Sequence, residues 1–219
     1  MSEEIAAGVR RLPVYLLLDC SGSMSGEPIE AVRMGLRALV SDLQGDPQAL
    51  ETAWLSVITF ESKAKLAVPL TELASFQEAP ISAGGGTSLG AAMNVLTDCI
   101  KKEVRKTTKN QKGDYKPLVF LMTDGQPTDS WQGPADDLKK QKPGNIIACA
   151  AGPQADEAVL KRITEIVVRL QDTSPGTLGA FMKWVSASIS TTSASVSAQG
   201  DAAVNLPALP EGKGIQIVP

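Results

Sequence analysis

The sequence predicts an α/β fold: a doubly wound, mostly parallel sheet with one antiparallel edge strand and helices on both faces. Three observations predict it. Short, mostly apolar runs at residues 12–18, 54–60, 118–122 and 145–150 alternate with stretches of helical period. Runs such as 12–18 (LPVYLLL) and 118–122 (LVFLM) lack polar alternation, so both of their faces are covered, as in a parallel sheet. A further run, 65–70 (KLAVPL), carries Pro69, which belongs on an edge strand.

The elements follow in order. After the strand at 12–18, Glu27 and Pro28 open a helix with the stripe Ile29, Val32, Leu36, Leu39, Val40 and Leu43, and Gly45 lies past its end. Strands follow at 54–60 and 65–70. A glycine-rich loop at 83–88 then opens a helix striped by Leu89, Ala92, Met93, Leu96, Ile100 and Val104. That helix leaves through a basic, polar stretch containing Lys101, Lys102, Arg105, Lys106, Lys109 and Lys112, which reads as a solvated helix end or a dock for an acidic partner. The strand at 118–122 precedes a weak helix at 134–140, a strand at 145–150, a helix at 155–166 and a last strand at 167–170. Leu178, Phe181, Met182, Val185 and Ile189 mark a final amphipathic helix. From Ser190 the composition turns small, polar and proline-punctuated. The expected organisation is an N-terminal extension at 1–10, one domain at 11–190 and a Ser/Ala/Pro-rich tail at 191–219.

Bulk properties narrow the function. Among the 219 residues 43% are apolar, enough for a large core, and the net charge of −3 leaves no footprint for nucleic acid or an anionic membrane. No apolar run approaches the ~20 residues that span a bilayer, and the acidic start MSEE does not read as a secretory signal. The three cysteines, Cys20, Cys99 and Cys149, are scattered in apolar contexts and read as reduced, buried thiols of a cytoplasmic protein. The chain has no histidine. That removes Ser-His-Asp and Cys-His triads and imidazole-bound zinc. Any metal must be held by oxygen, which selects a hard cation such as Mg²⁺, Mn²⁺ or Ca²⁺.

The residues for such a site lie at strand ends, where ligands bind in doubly wound sheets. Asp19, Ser21 and Ser23 follow the first strand as D-x-S-x-S, Thr87 follows the triple glycine, and Asp124 ends the strand at 118–122. On an extended or loosely turned segment, alternate side chains share one side, so Asp19, Ser21 and Ser23 can face one point. Two carboxylates balance the charge of a dication, and three hydroxyls supply neutral oxygens. Mg²⁺ takes about six oxygens at ~2.1 Å and keeps some as water, so this set leaves a position for a partner's Asp or Glu. Each segment alone is also a turn composition. Their order, each at a β-to-α junction, is more specific.

Rival chemistries fail on particular residues. The segment GGGTSLG (84–90) lacks the lysine of a phosphate loop, and residues 12–23 lack G-x-G-x-x-G. An aspartyl-phosphate phosphatase needs a second acid two positions after its nucleophile, where this chain has Ser21. A metal-dependent hydrolase or phosphotransferase remains as the alternative, with Glu27 and Asp129 its nearest candidate bases. Trp131 reads either as a loop anchor packed on the domain or as an aromatic contact on the binding face.

The D-x-S-x-S segment, the loop threonine and the strand-end aspartate resemble the metal-ion-dependent adhesion site (MIDAS) of von Willebrand factor type A (VWA) domains, with all five positions matched. The resemblance covers about residues 11–190. It implies a Rossmann-like fold, a bound Mg²⁺ and recognition of protein ligands through an acidic side chain, without catalysis. The segments at 10–36, 54–73 and 205–219 further resemble the bacterial tellurite-resistance group of such domains, with Cys20 where threonine is expected. That resemblance implies a stress-response phosphorylation circuit with a protein kinase and a PP2C-type phosphatase, in which Ser186 to Ser197 would be candidate phosphoacceptors.

Overall fold

The computed structural model describes residues 10–199 and 206–219; the predicted N-terminal extension therefore lies, but for Arg10, outside the described residues. A seven-stranded sheet forms the centre, in the order β3-β2-β1-β4-β5-β6-β7. The strands are β1 (Leu12–Asp19), β2 (Ala53–Phe60), β3 (Ala64–Glu72), β4 (Leu118–Thr123), β5 (Asn145–Ala151), β6 (Ile166–Leu170) and β7 (Ile215–Ile217). Strands β2, β1, β4, β5 and β6 run parallel, and β3 and β7 pair antiparallel at the two edges. Helices α1 (Glu27–Gln44), α2 (Pro47–Thr52) and α6 (Pro175–Gln199) flank one face. Helices α3 (Leu89–Glu103), α4 (Gln132–Lys140) and α5 (Glu157–Ile163) flank the other.

The unbroken apolar runs make two cores. Successive strand residues point to opposite faces, so Val14, Leu16 and Leu18 pack under α1 and α6 while Tyr15 and Leu17 pack under α3. All of β1 and β4 is buried. Helices α1 and α6 approach closely at Gly35, where a Cβ would stand 2.6 Å from Met182 Cγ. Helix α2 has no apolar stripe to announce it. Asp46 caps it through the amides of Gln48 and Ala49, and Pro47 begins it.

The C-terminal segment departs from the predicted tail at 191–219. Helix α6 continues to Gln199 through a Ser/Thr/Ala run. The hydroxyls of Ser188, Thr192 and Ser195 donate to the carbonyls of Trp184, Ser188 and Thr191, so they are satisfied inside the helix they would otherwise compete with. Ser186, Ser188, Thr192 and Ser193 are buried, which removes them as phosphoacceptors reachable by a kinase. The chain then returns: the Trp184 indole donates to Pro207 O at 3.0 Å, and β7 pairs with β6 as a second antiparallel edge. The sequence predicts one antiparallel edge and the sheet has two, the second built on a three-residue strand within the single stretch of the tail, 215–218, that alternates.

The sheet reverses its winding between β1 and β4. The carboxyl ends of these two strands therefore open a crevice at the switch point of strand order.

Candidate metal centre

Asp19, at the end of β1, is fully buried. Its Oδ1 accepts from the Ser21 amide at 2.8 Å and its Oδ2 accepts from the Thr123 hydroxyl at the end of β4. The chain then makes a 3₁₀ turn over Gly22–Met24, with the Ser21 and Ser23 hydroxyls 3.0 Å apart. Asp124 follows β4 and faces them: its Oδ1 accepts from Ser23 Oγ at 2.8 Å and lies 3.5 Å from Ser21 Oγ. Ser23 is exposed and Asp124 nearly buried, so the cluster opens to solvent through the serine side.

Thr87 arrives on the glycine loop. Backbone bonds tie that loop to the first: Gly84 N donates to Cys20 O at 2.8 Å, and Gly22 N donates to Gly85 O at 3.0 Å. Gly85 has φ +71°, a conformation open to glycine. Thr87 is buried, and a Cβ on Gly125, the residue after Asp124, would stand 3.4 Å from Thr87 Oγ1. The five predicted residues thus meet at one rim.

Electrostatics fit a cation. Burial pushes the carboxyl of Asp19 above the ordinary range, opposed by the hydrogen bonds from Thr123 and Ser21, and the nearby Asp124 pushes it further. Burial likewise raises Asp124, opposed by the donors Ser23 and Ser21. Two poorly solvated carboxylates side by side disfavour each other's charge. Among the described residues no cluster of three or more His, Cys, Asp or Glu forms a metal site. The oxygen set here is instead two carboxylates and three hydroxyls, the mixture a hard dication accepts.

Four supporting residues carry no motif of their own. Thr123 holds Asp19, as above. Thr128 clamps Thr87 reciprocally: its amide donates to Thr87 O at 2.9 Å, and its hydroxyl accepts from Thr87 N at 3.0 Å. Asp129 accepts from the amides of Gly90 and Ala91 at 3.0 and 2.9 Å, satisfying the first turn of α3. It is therefore committed to a helix end, and Glu27 is exposed on the first turn of α1. Trp131 is half-buried against the α3/α4/α5 core with the Arg162 guanidinium over its ring at 5.8 Å, which is the loop-anchor arrangement. The only signal for these residues was their place in the loop TDGQPTDSW after β4.

The basic cluster lies elsewhere. Helix α3 begins at the rim and carries Lys101 and Lys102 in its last turn; there Glu103 O accepts from Arg11, at the start of β1. Lysines and arginine of that cluster therefore sit at the opposite end of the sheet from Asp124. The three cysteines are free and buried, and burial pushes the Cys20 thiol up to about 12 and the Cys99 thiol up to about 11.

The fold and rim define a doubly wound α/β domain with an acid-and-hydroxyl site at its switch point. The chain belongs to the von Willebrand factor type A domain family, whose family model matches residues 14–175. A protein of Synechocystis sp., sll0103, is 32% identical over 124 residues, covering 53% of this chain and 26% of that protein. Among solved structures, a von Willebrand factor type A protein from Catenulispora acidiphila superposes with a TM-score of 0.63 at 18% identity, covering 84% of this chain and 43% of the other. Proximal thread matrix protein 1 from the mussel byssus, in a form with a zinc-occupied MIDAS motif, gives 0.59 at 19% identity, covering 84% and 48%. Such identities show the shared fold. The chain spans about a quarter of the length of its Synechocystis relative and less than half of these two structures. No helix among the described residues is long and apolar enough to cross a membrane.

Proposed function

We propose that this chain is a non-enzymatic, divalent-metal-dependent protein-interaction module. The observation that carries the reading is the convergence of Ser21, Ser23 and Asp124 from segments 101 residues or more apart. Asp19, Ser21, Ser23, Thr87 and Asp124 are the residues that would hold Mg²⁺, or Mn²⁺ or Ca²⁺ in its place. With the ion bound, the site supplies an open coordination position for a carboxylate oxygen. The chain's own residues then set selectivity. Asp19 and Asp124 balance charge, the three hydroxyls leave the ion electron-poor, and Thr128 and Thr123 hold the oxygens in place. A partner's Asp or Glu fits the open position. The mussel protein's zinc-occupied site on the same fold supports this reading, as does membership of a family whose domains are typically interaction modules.

The narrower resemblance supports a role as adaptor in a bacterial cytoplasmic circuit of tellurite resistance or stress response, with a protein kinase and a PP2C-type phosphatase as partners. Capture of partners from a bacterial lysate, with Mg²⁺ and with EDTA, tests both levels. Partner capture that depends on Mg²⁺ and on Asp124 is expected. Undiminished capture by Asp19→Ala and Asp124→Ala in EDTA would defeat the metal reading, and a Mg²⁺-dependent set without kinase or phosphatase would defeat the circuit.

A further inference from the structure

A second cleft shares a wall with the metal centre. It is ≈480 Å³ and is lined by Cys20, Thr59, Glu61, Lys63, Lys65, Gly84 and Gly85, among others. The Cys20–Gly84 and Gly22–Gly85 backbone bonds form the partition between it and the cluster at Ser21, Ser23 and Asp124. Two observations make it more than a dent beside a loop. Thr59 Oγ1 is buried and has no hydrogen-bond partner, although Thr59 lines the cleft. Such a group is destabilising unless something accepts from it or donates to it. Lys63 and Lys65 are exposed at the mouth, and among the described residues neither forms an ion pair. The acid present, Glu61, is engaged: its carboxylate accepts from the Ser62 amide and packs on Gly85.

We infer that this cleft binds a second acidic side chain of the same protein partner whose first acid enters the metal centre. The inference rests on the metal-centre reading above. A carboxylate seated there accepts from the Thr59 hydroxyl and lies between two ammonium groups. Recognition is thereby restricted to segments carrying two acids, one on each side of the 20–22/84–85 partition. The metal supplies dependence on a dication, and the lysine cleft supplies selectivity that a single coordinated carboxylate lacks.

The probes are short neutral peptides with one glutamate, and the same peptides with a second glutamate at a range of spacings. Binding to the full chain is followed by fluorescence anisotropy in Mg²⁺ and in EDTA. At one spacing the two-acid peptide is expected to bind roughly tenfold more tightly, the worth of about one charge-assisted hydrogen bond. Lys63→Ala with Lys65→Ala removes that advantage, and Thr59→Val removes part of it. Both variants keep the wild-type affinity for the one-acid peptide and the wild-type melting temperature in EDTA to within a few degrees. If the one-acid peptide binds with Mg²⁺ but no spacing gains affinity, or the gain survives loss of both lysines, the cleft is not an acid subsite and the metal reading stands. If the one-acid peptide shows no Mg²⁺-dependent binding, the metal reading falls and takes the cleft with it. Mg²⁺-independent binding of inorganic phosphate, abolished by loss of the two lysines, would assign the cleft to a free anion instead.

Discussion

Ser23 Oγ donates to Asp124 Oδ1 at 2.8 Å, closing a contact between residues 101 positions apart. One belongs to the turn after β1 and the other to the end of β4, the two strands between which the sheet reverses its winding. This contact makes a local turn composition part of a site. It also leaves a carboxylate that is poorly solvated and accepts from serine hydroxyls, which a cation would neutralise.

The first prediction follows from that unneutralised carboxylate. Mg²⁺ is expected to raise the melting temperature, by mass action worth roughly 2.7 kcal/mol at a hundredfold excess over its Kd. Asp124→Ala abolishes the increment while leaving the metal-free protein folded. Asp19→Ala also abolishes it and in addition lowers metal-free stability, by about 1–3 kcal/mol, because the Ser21 amide and the Thr123 hydroxyl lose their acceptor. Differential scanning calorimetry with Mg²⁺ and with EDTA measures both.

Gly85 sets the shape of the loop that delivers Thr87. A Cβ there meets Ser62 Oγ and Glu61 Oε2, at φ +71°. Gly85→Ala is expected to cost about 1–3 kcal/mol and to weaken Mg²⁺ stabilisation, because the strain is relieved by moving the segment that ends at Thr87. Equal Mg²⁺ increments in the variant and the parent would show that the loop's shape does not govern the site.

Asp46 supplies a pH prediction. Its carboxyl is held below the ordinary range, first by the Ser190 hydroxyl and then by the α2 amides it caps, with burial opposing. A folded-state value below the unfolded one means the contribution is complete above the ordinary carboxylate range. It is lost as pH falls through the depressed folded value. Asp46→Ala is therefore expected to cost about 1 kcal/mol at neutral pH, with the gap from the parent narrowing on acidification. Urea melts at neutral and acid pH check the sign.

Removing residues 206–219 tests the returning segment. The deletion takes away β7, leaving the β6 edge unpaired, and strips the Trp184 indole of its acceptor, Pro207 O. Loss of the latter alone is worth about 1–3 kcal/mol. A lower melting temperature and concentration-dependent association through the bare edge are expected. Light scattering across concentrations reads the second effect.

Much of the fold was legible because doubly covered strands must be apolar throughout, and 12–18 and 118–122 are. The helices with apolar stripes were legible for the same reason. What was hidden had no long apolar stripe to show: α2 begins on its cap, α6 beyond residue 190 carries hydroxyls bonded to its own carbonyls, and β7 is three residues long, pairing with β6 and burying Ile215. The sheet accordingly has two antiparallel edges where the sequence indicates one.

The sequence by itself determined the chemistry available: no imidazole, two strand-end acids and three hydroxyls at β-to-α junctions, hence oxygen donors only. Tertiary structure decided which of those groups share a site. Strand order brings Ser23 to Asp124 and sends the lysines at the end of α3 to the far rim, while bonds between loops set Thr87 beside Gly125 and commit Asp129 to a helix end. The physical reason is that chemical identity resides in each side chain, whereas proximity between distant segments exists only once the sheet's parallel register has been set.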